Sequence, residues 1–196
     1  IAGWQVRNMG PVGGNIANGS PSGDTPPVLI ALGAEITLRR GSDVRTLPLD
    51  AFFIDHGKQD RQPDEFVESI RVPLPQPKDL NAAYKISKRR DEDISSVAAG
   101  IHMSVEDGII CDVRIAMGGM AATPKRASAA EAALNGQPWS QESFEAAATA
   151  LSQDFSPLTD WRASSDYRML TAQNLLRRFF LEHDAQTDTP VQLACA

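Results

Sequence analysis

Residues 6–24 of this chain read VRNMGPVGGNIANGSPSGD, and the rest of the sequence is interpreted outward from this stretch. It holds five glycines and three asparagines. Such a composition is too polar and too rich in glycine for the interior of a helix or a strand. Val12, Ile16 and Ala17 supply apolar anchors, so we expect an ordered loop rather than a disordered one.

The glycines and polar side chains of this segment suit an anionic ligand. Gly13 and Gly14 allow a ligand to approach the backbone closely. Successive N–H groups in such a loop can hold an anion such as a diphosphate. The side chains that can add hydrogen bonds to phosphate or sugar are Asn15, Asn18 and Ser20. The spacing matches neither a Walker A loop nor the dinucleotide pattern G-x-G-x-x-G.

Asp24, which closes the segment, has two possible roles. Its carboxylate can accept a hydrogen bond from a ribose hydroxyl. Alternatively it caps a short helix over 28–32 that has prolines in its first turn and ends at Gly33. In that case the whole segment is a plain structural loop, and the residues alone leave both interpretations open.

The remaining sequence alternates between strand and helix patterns. The predicted strands are 34–40, 44–49, 66–72, 82–87, 97–105 and 109–117, with a buried turn at 52–54. The predicted helices after them are 125–134, 140–152 and 165–183. Prolines at 73, 75 and 77 predict a boundary between a domain of residues 1–76 and one of residues 77–185, followed by a polar tail, 186–196.

Composition excludes several classes of function. The 19 basic and 25 acidic residues give a net charge of −6, which argues against a nucleic-acid partner. Cys111 and Cys195 are too few for a zinc or iron–sulfur site, and they fit a reducing, cytoplasmic compartment. No apolar run reaches the roughly 20 residues that span a bilayer. The first residue is Ile1, and the start is expected to be cut from a longer sequence.

No residue pattern here indicates a metal site or a catalytic nucleophile. His56, His102 and His183 share no metal-ligand spacing, and His102 is expected to pack on a strand. Cys111 is expected in the core, and the serines lack a G-x-S-x-G elbow.

Lys85 and the charged run at 88–93 have two interpretations each. Lys85 lies between Tyr84 and Ile86 in a strand, so its ammonium either serves a ligand or only reaches solvent. The charged run is either a solvated loop or a mobile loop whose charges act on a nearby cofactor.

The segment 6–24 closely resembles the second flavin-binding segment of the molybdenum hydroxylases, above all in the flavin-bearing small subunits of bacterial xanthine dehydrogenases. The resemblance extends over residues 5–185. Its further motifs are Leu32-Gly33-Ala34, Asp50-Ala51-Phe52-Phe53, Tyr84-Lys85-Ile86-Ser87-Lys88-Arg89, Asp93-Ile94-Ser95, Gly118-Gly119-Met120-Ala121 and Ser165-Asp166-Tyr167-Arg168.

This resemblance implies an α+β fold that holds FAD in an extended site between two subdomains. The first would be the second half of a vanillyl-alcohol-oxidase-type FAD-binding domain. The second would be a C-terminal flavoprotein domain with a small antiparallel sheet and helices. By position, the resemblance places Asn15 and Asn18 at the FAD diphosphate, Asp24 on the adenosine side, and Val67 and Lys85 at the flavin ring.

Two positions depart from the family pattern. Asn18 stands where animal relatives carry threonine, and Glu92 stands where they carry aspartate. The segment 86–93 corresponds to a loop that moves in the animal enzymes when the electron acceptor changes from NAD to oxygen.

The resemblance also implies a function. Electrons from a purine would leave a molybdopterin site on a large partner subunit and pass two [2Fe-2S] clusters to FAD, which gives a hydride to NAD⁺. The family's first flavin loop and its iron–sulfur domains are expected upstream of Ile1. Two alternatives remain open: a docking module that holds no flavin, and a small protein that binds a phosphate ligand.

Overall fold

The computed structural model describes residues 3–90 and 92–184, so the predicted tail 186–196 and Cys195 lie outside the described residues. The helices are α1 (Trp4–Met9), α2 (Val12–Ala17), α3 (Thr25–Ala31), α4 (Leu49–Phe52), α5 (Ser128–Leu134), α6 (Gln141–Asp154) and α7 (Ser165–His183). The strands are β1 (Glu35–Arg40), β2 (Asp43–Pro48), β3 (Phe53–Asp55), β4 (Lys58–Gln59), β5 (Phe66–Arg71), β6 (Asp79–Ile86), β7 (Val97–Glu106), β8 (Ile109–Gly118) and β9 (Lys125–Arg126).

The first sheet has the order β2-β1-β5, and all its pairings are antiparallel. Alternation along β1 buries Ile36 and Leu38 on one face, because successive side chains of a strand point to opposite sides. Ile16 of α2, Ile30 of α3 and Phe52 of α4 complete this core. The predicted hairpin and the third strand are confirmed.

The second sheet has the order β6-β7-β8-β9, again antiparallel throughout. Helices α5, α6 and α7 form a second layer, whose core includes the buried rings of Phe144 and Phe179. Ser140 caps α6 by accepting a hydrogen bond from the backbone N–H of Ser143. The α+β fold class is confirmed, with small antiparallel sheets and helices.

Helix α3 packs across the opposite face of the second sheet and joins the two cores. A Cβ atom at Gly100 of β7 would lie 2.6 Å from Val28 Cα, so only glycine permits this approach. Arg114 of β8 donates from Nε to the carbonyl oxygen of Ala31 at 2.8 Å. The domain boundary at 76/77 stays a prediction, and contacts across it are extensive.

Several local expectations are wrong. Residues 6–24 are not a loop throughout, since α1 and α2 occupy much of the segment. Gly13 and Gly14 are tolerated in α2 because that helix packs closely on β5, where a Cβ at Gly13 would meet Val67 Cγ1 at 3.7 Å. Ile54 is 53% exposed although its neighbours Phe52 and Phe53 are buried.

Within the described residues, no helix is both long and apolar enough to cross a membrane.

Candidate functional site

The first turn of α2 presents backbone donors beside the glycines. The first hydrogen bond of this helix runs from Asn15 N to Pro11 O, at 3.2 Å. The N–H groups of Val12, Gly13 and Gly14 therefore have no acceptor within the helix. Gly13 and Gly14 have helical backbone geometry, and in this segment only Gly19 has positive φ, at 63°.

The polar side chains of the segment differ in how far they are engaged. Asn15 Oδ1 accepts a hydrogen bond from Thr25 Oγ1, which fixes the amide and leaves its nitrogen without an acceptor among the described residues. Asn18 is exposed and makes no side-chain hydrogen bond within the described chain. Ser20 Oγ lies 3.4 Å from Ser22 Oγ. These amides and hydroxyls remain available to a ligand.

Asp24 and Lys85, 61 positions apart in the sequence, form an ion pair. Lys85 Nζ lies 2.5 Å from Asp24 Oδ2, and their side chains are 20% and 13% exposed. The other carboxylate oxygen accepts from the buried hydroxyl of Ser95 at 2.5 Å. The proposed helix-capping role of Asp24 is wrong, since its side chain makes no cap hydrogen bond to α3.

Lys85 also anchors the end of the charged segment. Its ammonium donates to the carbonyl oxygen of Asp93 at 2.7 Å. The Asp93 carboxylate accepts from the backbone N–H of Arg89 at 2.9 Å, and this hydrogen bond is the largest cause that lowers the pKa of Asp93. Lys88 reaches away from this point and donates to the carbonyl oxygen of Trp161 at 2.8 Å.

Val67 lies apart from this ion pair, on β5. A groove of about 320 Å³ runs between α2 and β5. Its apolar lining comes from Val12, Gly13, Leu29, Val67, Ile70 and Val72. The structure thus brings Gly13 and Val67 to one groove and Asp24 and Lys85 to one ion pair.

This arrangement bears on how an extended dinucleotide would be placed. Asp24 and Lys85 are in direct contact. The positions expected for them, Asp24 on the adenosine side and Lys85 at the flavin ring, stay predictions.

Ser95 and Arg168 make buried hydrogen bonds around this site, and sequence reasoning did not single them out. Arg168 is 4% exposed, and its NH1 donates to the carbonyl oxygens of Ser96 and Gly119. Its NH2 donates to Asp160 Oδ1 at 2.7 Å. Desolvation acts to raise the pKa of Asp160, but hydrogen bonds from backbone N–H groups and from Arg168 outweigh it and lower the pKa.

Ser95 and Arg168 each lie in a stretch that resembles a family motif, and neither carries a further signal of its own in the sequence. Gly119, with φ 79°, completes this junction by donating from its N–H to the carbonyl oxygen of Pro21 at 2.7 Å. Gly119 therefore ties residues 6–24 to the end of β8, and Arg168 ties α7 to the same turn.

The remaining candidates are structural. His102 is buried, with Nδ1 2.8 Å from Asn81 Oδ1 and Nε2 3.2 Å from Asp112 Oδ2, so its predicted packing on a strand is confirmed. Cys111 is half-buried on β8 rather than in the core. The described residues contain no group of three or more metal-binding side chains.

Two family models match the chain in sequence. The FAD binding domain in molybdopterin dehydrogenase matches residues 1–75, and the CO dehydrogenase flavoprotein C-terminal domain matches residues 82–183. The chain is 32% identical over 184 residues to a xanthine dehydrogenase FAD-binding subunit of Escherichia coli O157:H7, covering 93% of this chain and 63% of that protein. It is 33% identical over 187 residues to the nicotine 6-hydroxylase medium subunit of Paenarthrobacter nicotinovorans, covering 95% and 65%.

A solved structure shares the fold. The chain superimposes on a carbon monoxide dehydrogenase structure from Hydrogenophaga pseudoflava with a TM-score of 0.85 and 36% identity, covering 91% of this chain and 62% of that one. The chain thus spans somewhat less than two thirds of the length of these relatives. With both models matched in order and the fold shared, the chain belongs to the FAD-binding flavoproteins of the molybdenum hydroxylase family.

Proposed function

We propose that this chain forms part of the FAD site of a molybdenum hydroxylase and passes electrons from molybdenum and iron–sulfur centres to an acceptor. One observation carries the proposal. Lys85 lies in the region that the second family model matches, and Asp24 lies in the region that the first one matches. Both residues were expected at FAD from the sequence, and Lys85 Nζ lies 2.5 Å from Asp24 Oδ2.

The residues present fit the cofactor. FAD needs donors for its diphosphate, and the first turn of α2 offers N–H groups without helix acceptors. Asn15 and Asn18, which follow this first turn in the sequence, are exposed to solvent. Gly13 and Val67 line an apolar groove beside them, which suits an aromatic part of the ligand. We infer that the cofactor contacts are made by Gly13, Gly14, Asn15, Asn18, Ser20, Asp24, Val67 and Lys85.

Lys85 has the hydrogen-bonding capacity for this role. An ammonium group carries three N–H donors, and Asp24 and the Asp93 carbonyl use two of them. One donor remains for a ligand atom. When bound, FAD supplies the redox chemistry of its flavin ring, while the protein positions it and sets its electrostatic surroundings. Asp24 accepts from the ammonium and is itself held by the Ser95 hydroxyl, so the direction of the ammonium is fixed.

Finer parts of the proposal follow from the relatives. We propose a purine such as xanthine as the reductant, oxidised at a molybdopterin centre on a large partner subunit, with [2Fe-2S] clusters on other domains or subunits. We propose NAD⁺ as the electron acceptor and the cytoplasm as the location. The name of the E. coli relative supports the substrate. Formation of NADH from NAD⁺ and xanthine by the purified complex tests both the substrate and the electron acceptor.

The cofactor itself is tested by flavin content. The protein is produced from the complete coding region that contains this chain, and FAD is released by acid and counted per polypeptide. We expect about one FAD in the wild type and a loss of flavin absorbance in Asn15→Ala and Asp24→Ala. Asn135→Ala, at an exposed position after α5, is the matched control. A wild-type protein without flavin would contradict the proposal and support a docking module.

A further inference from the structure

A cavity of about 530 Å³ lies beside the ion pair, on the side of the 155–164 loop. Cavities that hold small molecules measure about 300–1,000 Å³. One part of its wall is apolar and comes from Pro21, Met120, Ala121 and Leu158. The polar part comes from Ser22, His56, Ser156 and the arginines Arg162 and Arg168.

Arg168 and Asp160 build this wall and use most of their hydrogen-bonding groups within the protein, although the buried Nε of Arg168 has no acceptor among the described residues. The two terminal nitrogens of Arg168 bond to two carbonyl oxygens and to Asp160. Asp160 Oδ1 further accepts from the backbone N–H groups of Arg162 and Ala163, at 2.8 and 3.1 Å. These donors therefore take up most of the negative charge of Asp160, and the positive charge of a second guanidinium has no carboxylate of the described chain within hydrogen-bond distance.

Arg162 is that second guanidinium, and it is under-satisfied. Its Nε is buried and has no hydrogen-bond acceptor among the described residues. The nearest carboxylate contact, from NH1 to Asp160 Oδ2, is 3.7 Å long, beyond hydrogen-bond distance. The guanidinium carbon lies 4.1 Å from the centre of the Trp161 ring, which holds its plane by a cation–π contact. Buried polar groups are normally hydrogen-bonded, so this arrangement indicates a missing acceptor.

We propose that this cavity binds a small molecule that carries an oxyanion, a phosphate or a carboxylate, on an apolar body. Arg162 binds the oxyanion, because a guanidinium presents several N–H donors in a geometry that matches such groups. The hydroxyl groups of Ser22 and Ser156 add donors, and the apolar wall at Met120 and Leu158 receives the body. The residues that line this cavity differ from those of the groove between α2 and β5.

Binding to the full 196-residue chain is measured by isothermal titration calorimetry with adenosine monophosphate, benzoate and inorganic phosphate. Saturable binding of the nucleotide with little binding of benzoate assigns a phosphate-bearing ligand, and the reverse assigns a carboxylate. Binding of inorganic phosphate alone overturns the proposal, since the apolar wall would then take no part. Absence of saturable binding of all three in the millimolar range also overturns it.

Variants locate the site. Arg162→Ala is expected to weaken binding by about tenfold or more, which is the range for hydrogen bonds to a charged group. In the wild type, ligand binding is expected to quench the fluorescence of Trp161. Ala122→Glu, at an exposed position on the cavity wall, adds a negative charge and gives the same loss without threatening the fold. Arg71→Ala, a guanidinium of the first sheet that is 81% exposed, is the matched control and retains full affinity.

The cofactor measurement separates this inference from the proposed function. Arg162→Ala is expected to keep its FAD content while it loses the oxyanion. Equal loss of both would make the cavity part of the flavin site and overturn the claim of a separate one. An Arg162→Ala protein with unchanged affinity for the ligand would overturn it as well.

Discussion

Replacing Gly100 by alanine puts a methyl group where α3 crosses β7. The added Cβ would lie 2.6 Å from Val28 Cα and 2.7 Å from Pro27 C, both backbone atoms. Since an ordinary contact of this kind is at least 3.4 Å and the Pro27 carbonyl oxygen lies closer still, α3 has to retreat by about 0.8 Å or more. Overpacking of a close-packed contact costs about 1–3 kcal/mol. In a chain of this size, that lowers the melting temperature by roughly 2–12 °C.

The same retreat has a local consequence, because Asp24 immediately precedes α3. Its ion pair with Lys85, 2.5 Å long, would be stretched, so flavin affinity should fall together with stability. Thermal unfolding followed by circular dichroism measures the first effect, and flavin titration measures the second.

Gly13→Ala is the contrasting variant for the stability measurement. Its Cβ would meet Val67 Cγ1 at an ordinary 3.7 Å, and replacing glycine by alanine where the native backbone allows it stabilises by about 0.4–1 kcal/mol, because the unfolded chain loses conformational freedom. We therefore expect Gly13→Ala to melt above the wild type. A Gly100→Ala protein that melts at or above the wild type would refute the close crossing of α3 over β7.

Three further variants probe other contacts. The Arg45 guanidinium, 2.7 Å from Glu65, and other hydrogen bonds lower the pKa of Glu65 to about 2, so its stabilisation is complete above about pH 4.5 and disappears toward pH 2. Denaturant titrations across this range should show a smaller pH dependence in Arg45→Met. Asp154→Ala removes the cap on the first turn of α5 and should cost about 1 kcal/mol in denaturant unfolding. Arg168→Met leaves the buried carbonyl oxygen of Ser96 and the half-buried one of Gly119 without this donor and should cost about 2–3 kcal/mol; an unchanged midpoint would contradict its bridging role.

Much of the fold follows from local sequence patterns. The β1–β2 hairpin, the β7–β8 pair and α7 were predicted within a few residues, because each carries its own periodicity and turn residues. The confirmed left-handed Gly33 at the end of α3 is a similar local signal. These features depend on neighbours in sequence.

The helix α2 could not be predicted in this way. Its glycines are unfavourable for a helix by propensity, and burial of Ile16 with close packing on β5 compensates for them. Such compensation comes from tertiary contacts that a single sequence does not display. The result is that the predicted loop presents helix N–H groups instead.

The candidate site was predictable by type but not by arrangement. Asp24 and Lys85 were each singled out, yet no pattern in the sequence indicates that the two form an ion pair across 61 positions. Ser95 lies in a stretch that resembles a family motif, but nothing in the sequence indicates its hydrogen-bond partner. Its buried hydrogen bond to Asp24 exists only because α3 packs against β7, which begins two residues after Ser95.

The most direct test of whether the Asp24–Lys85 ion pair belongs to the flavin site is the FAD dissociation constant of Lys85→Met, in protein produced from the complete coding region. Loss of a charged donor to a bound ligand predicts affinity about tenfold or more below the wild type. Lys78→Met, which removes an exposed lysine paired with Glu106, is the matched control and should bind FAD like the wild type. If Lys85→Met binds FAD as tightly as the Lys78→Met protein, the ion pair is not part of the flavin site and the central claim is contradicted.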